Sequence, residues 1–254
     1  MSHCYLLADT SFEQQNKQTN VLKPKVKYKV IVFDEEGNFV IEKDYSYGQE
    51  QNTSLILLDG GKKYTFVAYS VNSTSNLPEL IFSDQLNKNL LSAKVKSSAD
   101  VNFMYFKKEM VVSGAKTNYL NINLKHQLCQ ITTILDASAT GYNIKEISSV
   151  IGPHQEEFVF HLANGDINRL GDVSQAKVIF PELNTSRVES LPTIVNCVDN
   201  NSAYYTISSI SIGELNQVNI KPFNDLVISP GVKYTIKLIL NPTDEYLTYE
   251  DQSS

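Results

Sequence analysis

Leu57-Leu58-Asp59-Gly60-Gly61-Lys62-Lys63-Tyr64-Thr65-Phe66-Val67-Ala68-Tyr69 is the stretch on which the reading of this chain turns. A glycine-bearing turn leads into Lys-Tyr-Thr and then into an apolar run of residues that favour strands. Late in the chain Ile228-Ser229-Pro230-Gly231-Val232-Lys233-Tyr234-Thr235-Ile236-Lys237-Leu238 repeats the device. The copies lie too far apart for a solenoid period, so they read as one turn-to-strand device used in two domains. Gly61 and Gly231 are expected at positive φ, which glycine adopts at no steric cost, with Pro230 fixing the residue before the second turn. Past the first turn Tyr64, Phe66 and Ala68 should share one face of a strand, and Thr65, Val67 and Tyr69 the other. Tyr64 and Tyr234 should then hold equivalent places in their own domains.

The bulk numbers agree with a soluble all-β protein. The 254 residues suffice for two ordinary domains, and 42% hydrophobic with 20% charged residues fits a globular chain. Fourteen tyrosines and eleven phenylalanines without a tryptophan suit pleated, half-buried surfaces. A net charge of −6 argues against a nucleic-acid partner. Arginine occurs only at Arg169 and Arg187, which leaves few forks for bidentate phosphate recognition. Cys4, Cys129 and Cys197 form neither a disulfide framework nor a zinc knuckle. Cys129 and Cys197 read as buried thiols, with a bridge between them left open. No run of about 20 apolar residues is present to span a bilayer as a helix. The start lacks the basic and apolar regions of a signal peptide, so an exported form would have lost its signal or carry it upstream.

In chain order, Thr10–Asn20 reads as polar loop and Lys25–Phe33 as a strand. Asp34-Glu35-Glu36-Gly37-Asn38 reads as a hairpin tip without calcium-loop spacing, with Phe39–Lys43 returning. Asn52–Leu58 is expected to be a strand, Asp84–Lys94 one or two helical turns, and Val101–Phe106 the last strand of the first unit. Lys107–Asn118, with Ser113-Gly114-Ala115, is the expected linker, giving domains at 1–110 and 111–254 with a short tail after 242. In Tyr119–Leu135 the apolar positions switch from even (Leu120, Ile122, Leu124) to odd (Cys129, Ile131, Leu135). A β-bulge near His126-Gln127-Leu128 would produce that switch. Further strands are expected at Glu157–Leu162, Ala176–Phe180, Thr193–Cys197, Ala203–Ile212, Gln217–Ile220 and Tyr234–Leu240.

No catalytic signature emerges: the chain lacks a nucleophile elbow, a phosphate loop and a metal-ligand spacing, and no enzyme activity or cofactor is expected. Glu35-Glu36 and Glu156-Glu157 are adjacent, so neither is a glycosidase pair by itself. The blocks Tyr28–Asn38, Glu42–Tyr45 and Leu58–Ser70, with Leu124–Leu128 and Ser229–Thr235, resemble the fimbrillin-like (Mfa-like) surface and pilus proteins of the Bacteroidales. The resemblance runs over most of Lys25–Pro242. It implies two transthyretin-like β-sandwich domains in tandem and a cell-surface or outer-membrane location. It also implies partners among other pilus subunits or surface ligands, with membrane contact only through a lipid anchor absent from this chain.

Assembly in that family has a strand of one subunit filling a groove in the next. Here the segment before Val21 and the stretch Tyr246-Leu247-Thr248-Tyr249 are the candidates for exchange or capping. Two features depart from the pilins: no arginine precedes Arg169, and Met1-Ser2-His3-Cys4 is a poor lipobox. A further domain can follow in relatives where this chain stops. The alternative is a carbohydrate-binding surface module, for which Tyr45-Ser46-Tyr47 and Tyr204-Tyr205 are the aromatic candidates.

Overall fold

Short alternating apolar runs can be buried only by laying sheet on sheet, and the chain does so twice. The computed structural model describes residues 5–15 and 21–243. Strand β1 (Tyr5–Gln14) comes first, followed by β2 (Lys27–Phe33), β3 (Phe39–Ser46), β4 (Lys63–Ser70) and the short β5 (Leu80–Phe82). Next are β6 (Ala93–Ser98), β7 (Met104–Val111), the two-residue β8 (Lys125–His126) and β9 (Cys129–Asp136). Strand β10 (Ile144–His154) precedes the hairpin of β11 (Glu157–His161) and β12 (Ile167–Leu170). Then come β13 (Ser174–Val178), β14 (Arg187–Glu189) and β15 (Thr193–Val195). The long pair β16 (Asn200–Ile212) and β17 (Leu215–Ile228) is followed by β18 (Lys233–Thr243).

Four sheets result. In the first sandwich, β3-β2-β4-β7-β8 faces β12-β11-β6-β5. Ile31, Phe33, Val67 and Tyr69 of one sheet meet Phe82, Val95, Phe158 and Phe160 of the other, around Phe103. In the second, β1-β18-β9-β14, with β15 also paired to β9, faces β13-β10-β16-β17. Cys129, Ile131, Leu135, Ile236 and Leu238 there meet Ile151, Tyr205, Ile207 and Leu226.

The sheets do not divide at 110/111. Strand β1 pairs along its whole length with β18, from Tyr5 opposite Thr243 to Gln14 opposite Tyr234. The hairpin 157–170 pairs through β11 with β6, Phe160 opposite Val95. Each half of the chain thus lends a piece of sheet to the other, which no local pattern could announce. Of the expected linker Lys107–Asn118, residues 107–111 continue strand β7, and the segment 112–124 lies on the first sandwich without joining a sheet. Leu120 joins Ile56 and Leu58 in covering Val32, Tyr64, Phe66 and Val112 on the outer face of β2 and β4.

Several expectations are corrected here. Asn52–Leu58 is no strand: a single 3-10 turn at Glu50–Asn52 runs into extended backbone outside any sheet. Along it Ile56 and Leu58 turn to the sheet and Leu55 and Leu57 to solvent. Asp84–Lys94, by contrast, holds a helical turn as expected, the 3-10 turn Leu90–Ser92 capped by the Asn89 side chain. Thr10–Gln14 belongs to β1 rather than to a loop. The switch of parity at His126–Leu128 is no bulge but a change of sandwich. Lys125–His126 pairs with β7 in the first sandwich and Leu128 is buried in its core, whereas Cys129 already belongs to the second.

Candidate functional site

The Gly61 turn is held from below. The Gly61 N–H donates to the Val112 carbonyl at 2.6 Å, and the Val112 N–H to the Lys62 carbonyl at 2.9 Å. Gly61 has φ +80° with open space around it, whereas a Cβ on Gly60 would sit 2.3 Å from the Gly114 Cα. The sharper demand for glycine therefore falls on Gly60, through backbone crowding. Gly231 has φ +76°, and its Cβ would come within 2.7 Å of the His126 carbonyl oxygen. Tyr64 and Tyr234 are both buried but in unlike places. Tyr64 lies on the outer face of the first sandwich, and Tyr234 in the core of the second with its hydroxyl accepting from the Ser229 N–H at 3.1 Å. The repeated motif therefore serves two different faces.

The assembly candidate before Val21 is β1, the edge strand of its sheet. Phe12 stacks on Tyr234 at 4.8 Å between ring centroids and tilts against Phe223 of the facing sheet at 6.5 Å. Phe12 thus bridges β18 of its own sheet and β17, the edge strand of the facing sheet. The grip is completed by Lys237 with Glu13 (3.4 Å), the Gln15 side chain donating to the Thr235 hydroxyl (2.9 Å), and the Gln15 N–H to the Lys233 carbonyl (2.8 Å). Without β1, the edge of β18 would present unpaired backbone groups beside an exposed Tyr234. The other candidate, Tyr246-Leu247-Thr248-Tyr249, lies outside the described residues.

The junction between sandwiches is the other polar concentration, and sequence reading missed it because its parts are far apart in the chain. Asn196, wholly buried, donates through its side chain to the carbonyls of Gln155 (2.9 Å) and Glu157 (3.2 Å). Its carbonyl accepts from the Gln155 N–H at 3.1 Å, and its own N–H donates to His154 Nδ1 at 3.2 Å. Arg169 on β12 donates to the Cys197 carbonyl, and Gln155 to that of Gly171 at 2.8 Å. Beside this hub a cleft of about 700 Å³ is lined by His154, Glu156, Glu157, Asp100, Lys177 and Leu191, among others.

Titratable groups here are tuned by burial. Desolvation lowers His154, opposed by Glu156, and lowers His126, helped by Lys233. It lowers Arg169 too, and pushes the Cys197 thiol up to about 11. The Cys129 thiol is raised by burial and then by Cys197. Both are free buried thiols, poor nucleophiles in this setting. No cluster of three or more His, Cys, Asp or Glu suited to a metal occurs among the described residues. The Asp34 carboxylate is spent on its own turn, accepting from the N–H groups of Glu36 (3.0 Å) and Asn38 (2.8 Å). No helix among the described residues is long and apolar enough to cross a membrane.

A pair of β-sandwiches stitched by exchanged elements, with an edge strand closing the second, defines the class by fold. Comparison with known proteins narrows it. The family of fimbrillin-A associated anchor proteins Mfa1 and Mfa2 matches residues 13–175, more than half of the chain, and the protein belongs to that family. Solved structures with this fold include a candidate cell adhesion protein of Bacteroides fragilis. It is 12% identical, with 94% of this chain and 93% of that one covered at a TM-score of 0.54. A candidate cell adhesion protein of Bacteroides uniformis is 11% identical, covering 95% and 97% at 0.52. No curated protein sequence matches the chain.

Proposed function

We propose that this is a fimbrial protein of the bacterial surface that works by assembly or adhesion and carries no active site. Membership of the fimbrillin-A associated anchor family supports the surface role, and the single structural observation that carries the assembly reading is β1. Among the described residues it is a continuous ten-residue edge strand joined to the sheet on one side. An extended strand from another subunit would satisfy the same backbone groups and fill the place of Phe12 on Tyr234. We read the two sandwiches as the transthyretin-like pair of that family, other pilus subunits as the partners, and an outer-membrane lipid anchor as the means of attachment. Of the tyrosines named for the carbohydrate-binding alternative, Tyr205 is wholly buried and unavailable to a ligand, and Tyr45 is stacked on Tyr28 at 5.4 Å.

The test is to place a protease site within residues 16–20, cut it in the folded protein, and offer a fluorescent peptide of residues 5–15. Uptake of the peptide and growth of large species in sedimentation support strand exchange. A cut protein that stays monomeric and takes up no peptide removes the assembly reading and leaves adhesion.

A further inference from the structure

The chain passes from the second sandwich to the first at residues 155–156 and returns at 171–173, and Asn196 is the residue that ties the outgoing crossover down. One bond in that clamp has a protonation requirement. His154 Nδ1 accepts the Asn196 N–H, so Nδ1 must be unprotonated and the ring neutral. An imidazolium would set two donors against each other. The other histidine at a crossover has the opposite requirement. His126 Nδ1 lies 2.6 Å from the Asn102 side-chain oxygen, an acceptor, so protonation leaves that bond intact. We propose that His154 is a pH-sensitive latch on the crossover between the two sandwiches, closed when the imidazole is neutral and released on acidification.

The surroundings leave the latch able to work. Glu156 on the crossover, Glu157 of β11, Asp100 after β6 and Lys177 of β13 line the same cleft as His154. Arg169 of β12 and Asp199 lie across the hub, coupled to one another and to Cys197. Glu157 is engaged by Lys96 at 2.9 Å, which leaves Glu156 as the carboxylate that favours a charged ring. Burial opposes it, and release therefore falls below the ordinary histidine range. Among the described residues the Asn196 side-chain oxygen is buried without a partner, as is the Nε of Arg169 in the same hub. Once the Asn196 N–H loses its acceptor, the residue holds the crossover by three bonds with two of its own polar groups unsatisfied, a poor balance for a buried asparagine.

The experiment uses the full chain at pH 8 and pH 5. Nuclear magnetic resonance follows the His154 imidazole and the exchange protection of the Asn196 and Gln155 amides, corrected for intrinsic rates. Spin labels at Lys108→Cys and Lys221→Cys, with Cys4→Ser, report the distance between sandwiches. Expected are a His154 titration below 6.5, an approximately tenfold loss of Asn196 protection at pH 5, and a broader inter-label distance. His154→Gln supplies an untitratable acceptor and should remove the pH dependence, whereas His126→Gln should leave it in place. Titration of His154 at or above 6.5 overturns the proposal, as does Asn196 protection that is equal at both pH values. So does a distance change that persists in His154→Gln, or one accompanied by loss of the β-sheet circular dichroism. Should His154→Gln fail to fold, the wild-type titration and protection data decide the matter alone.

Discussion

Two glycines that share a motif differ in what they are for. Gly61 needs its positive φ and nothing else, whereas Gly231 needs the φ and also the missing Cβ, because the His126 carbonyl stands 2.7 Å from where it would be. Gly61→Ala should cost about 1 kcal/mol and Gly231→Ala about 2–4 kcal/mol in urea unfolding. Gly60→Ala, at an ordinary φ, should also cost about 1–3 kcal/mol, because the obstruction is the Gly114 backbone and cannot swing away. Equal losses at Gly61 and Gly231 would contradict this ranking. The histidines carry a pH dependence with a definite sign. Both His126 and His154 are depressed in the folded state, so the unfolded chain takes up their protons first. Stability is full above about 6.5 and is lost as pH falls below it towards the lower folded values. Melting temperatures measured from pH 8 to pH 5 should fall, and less steeply in His154→Gln.

At the level of elements, β1 is the part most open to exchange. Its backbone bonds all run to one neighbour, and among the side chains described only Phe12 enters the core. Phe12→Ala removes the stacking on Tyr234 and the contact with Phe223, and should destabilise by about 1–3 kcal/mol. Amide exchange should show whether the loss is local: residues 5–14 and the β18 residues paired to them should exchange faster while β10 and β16 keep their protection. Uniform loss of protection through the second sandwich would mean that β1 is integral to the fold and not separable from it.

For the whole molecule, the exchange of pieces between halves changes what a cut between them would do. A protease acting at 113–117 would sever the chain but leave β1 in the second sandwich and the 157–170 hairpin in the first. The nicked protein should therefore elute as one species from a sizing column and separate only in denaturant. Two folded pieces parting under native conditions would contradict the pairing of β6 with β11. The same stitching places His154 and Arg169 next to the passages between the sandwiches at 155–156 and 171–173, with Asn196 bonded to the first of them.

Much of this was legible in the residues, because alternation is a local property. The all-β class and the two faces of β4 follow from side chains pointing to opposite sides of extended backbone. The turn at Asp34–Asn38 was legible for a related reason, since an aspartate there bonds its own backbone two and four residues on. Pairing is different, because a strand's pattern says which face is wet and nothing about which strand lies beside it. That is why Tyr119–Leu124 alternates without joining a sheet, and why the parity switch at His126–Leu128 suggested a bulge where the chain in fact changes sandwiches. It is also why nothing local places β1 beside β18 or the 157–170 hairpin beside β6. The closure of both sandwiches, and the junction around Asn196, depend on which distant edges remained open once the other strands had paired, and only the assembled tertiary structure determines that.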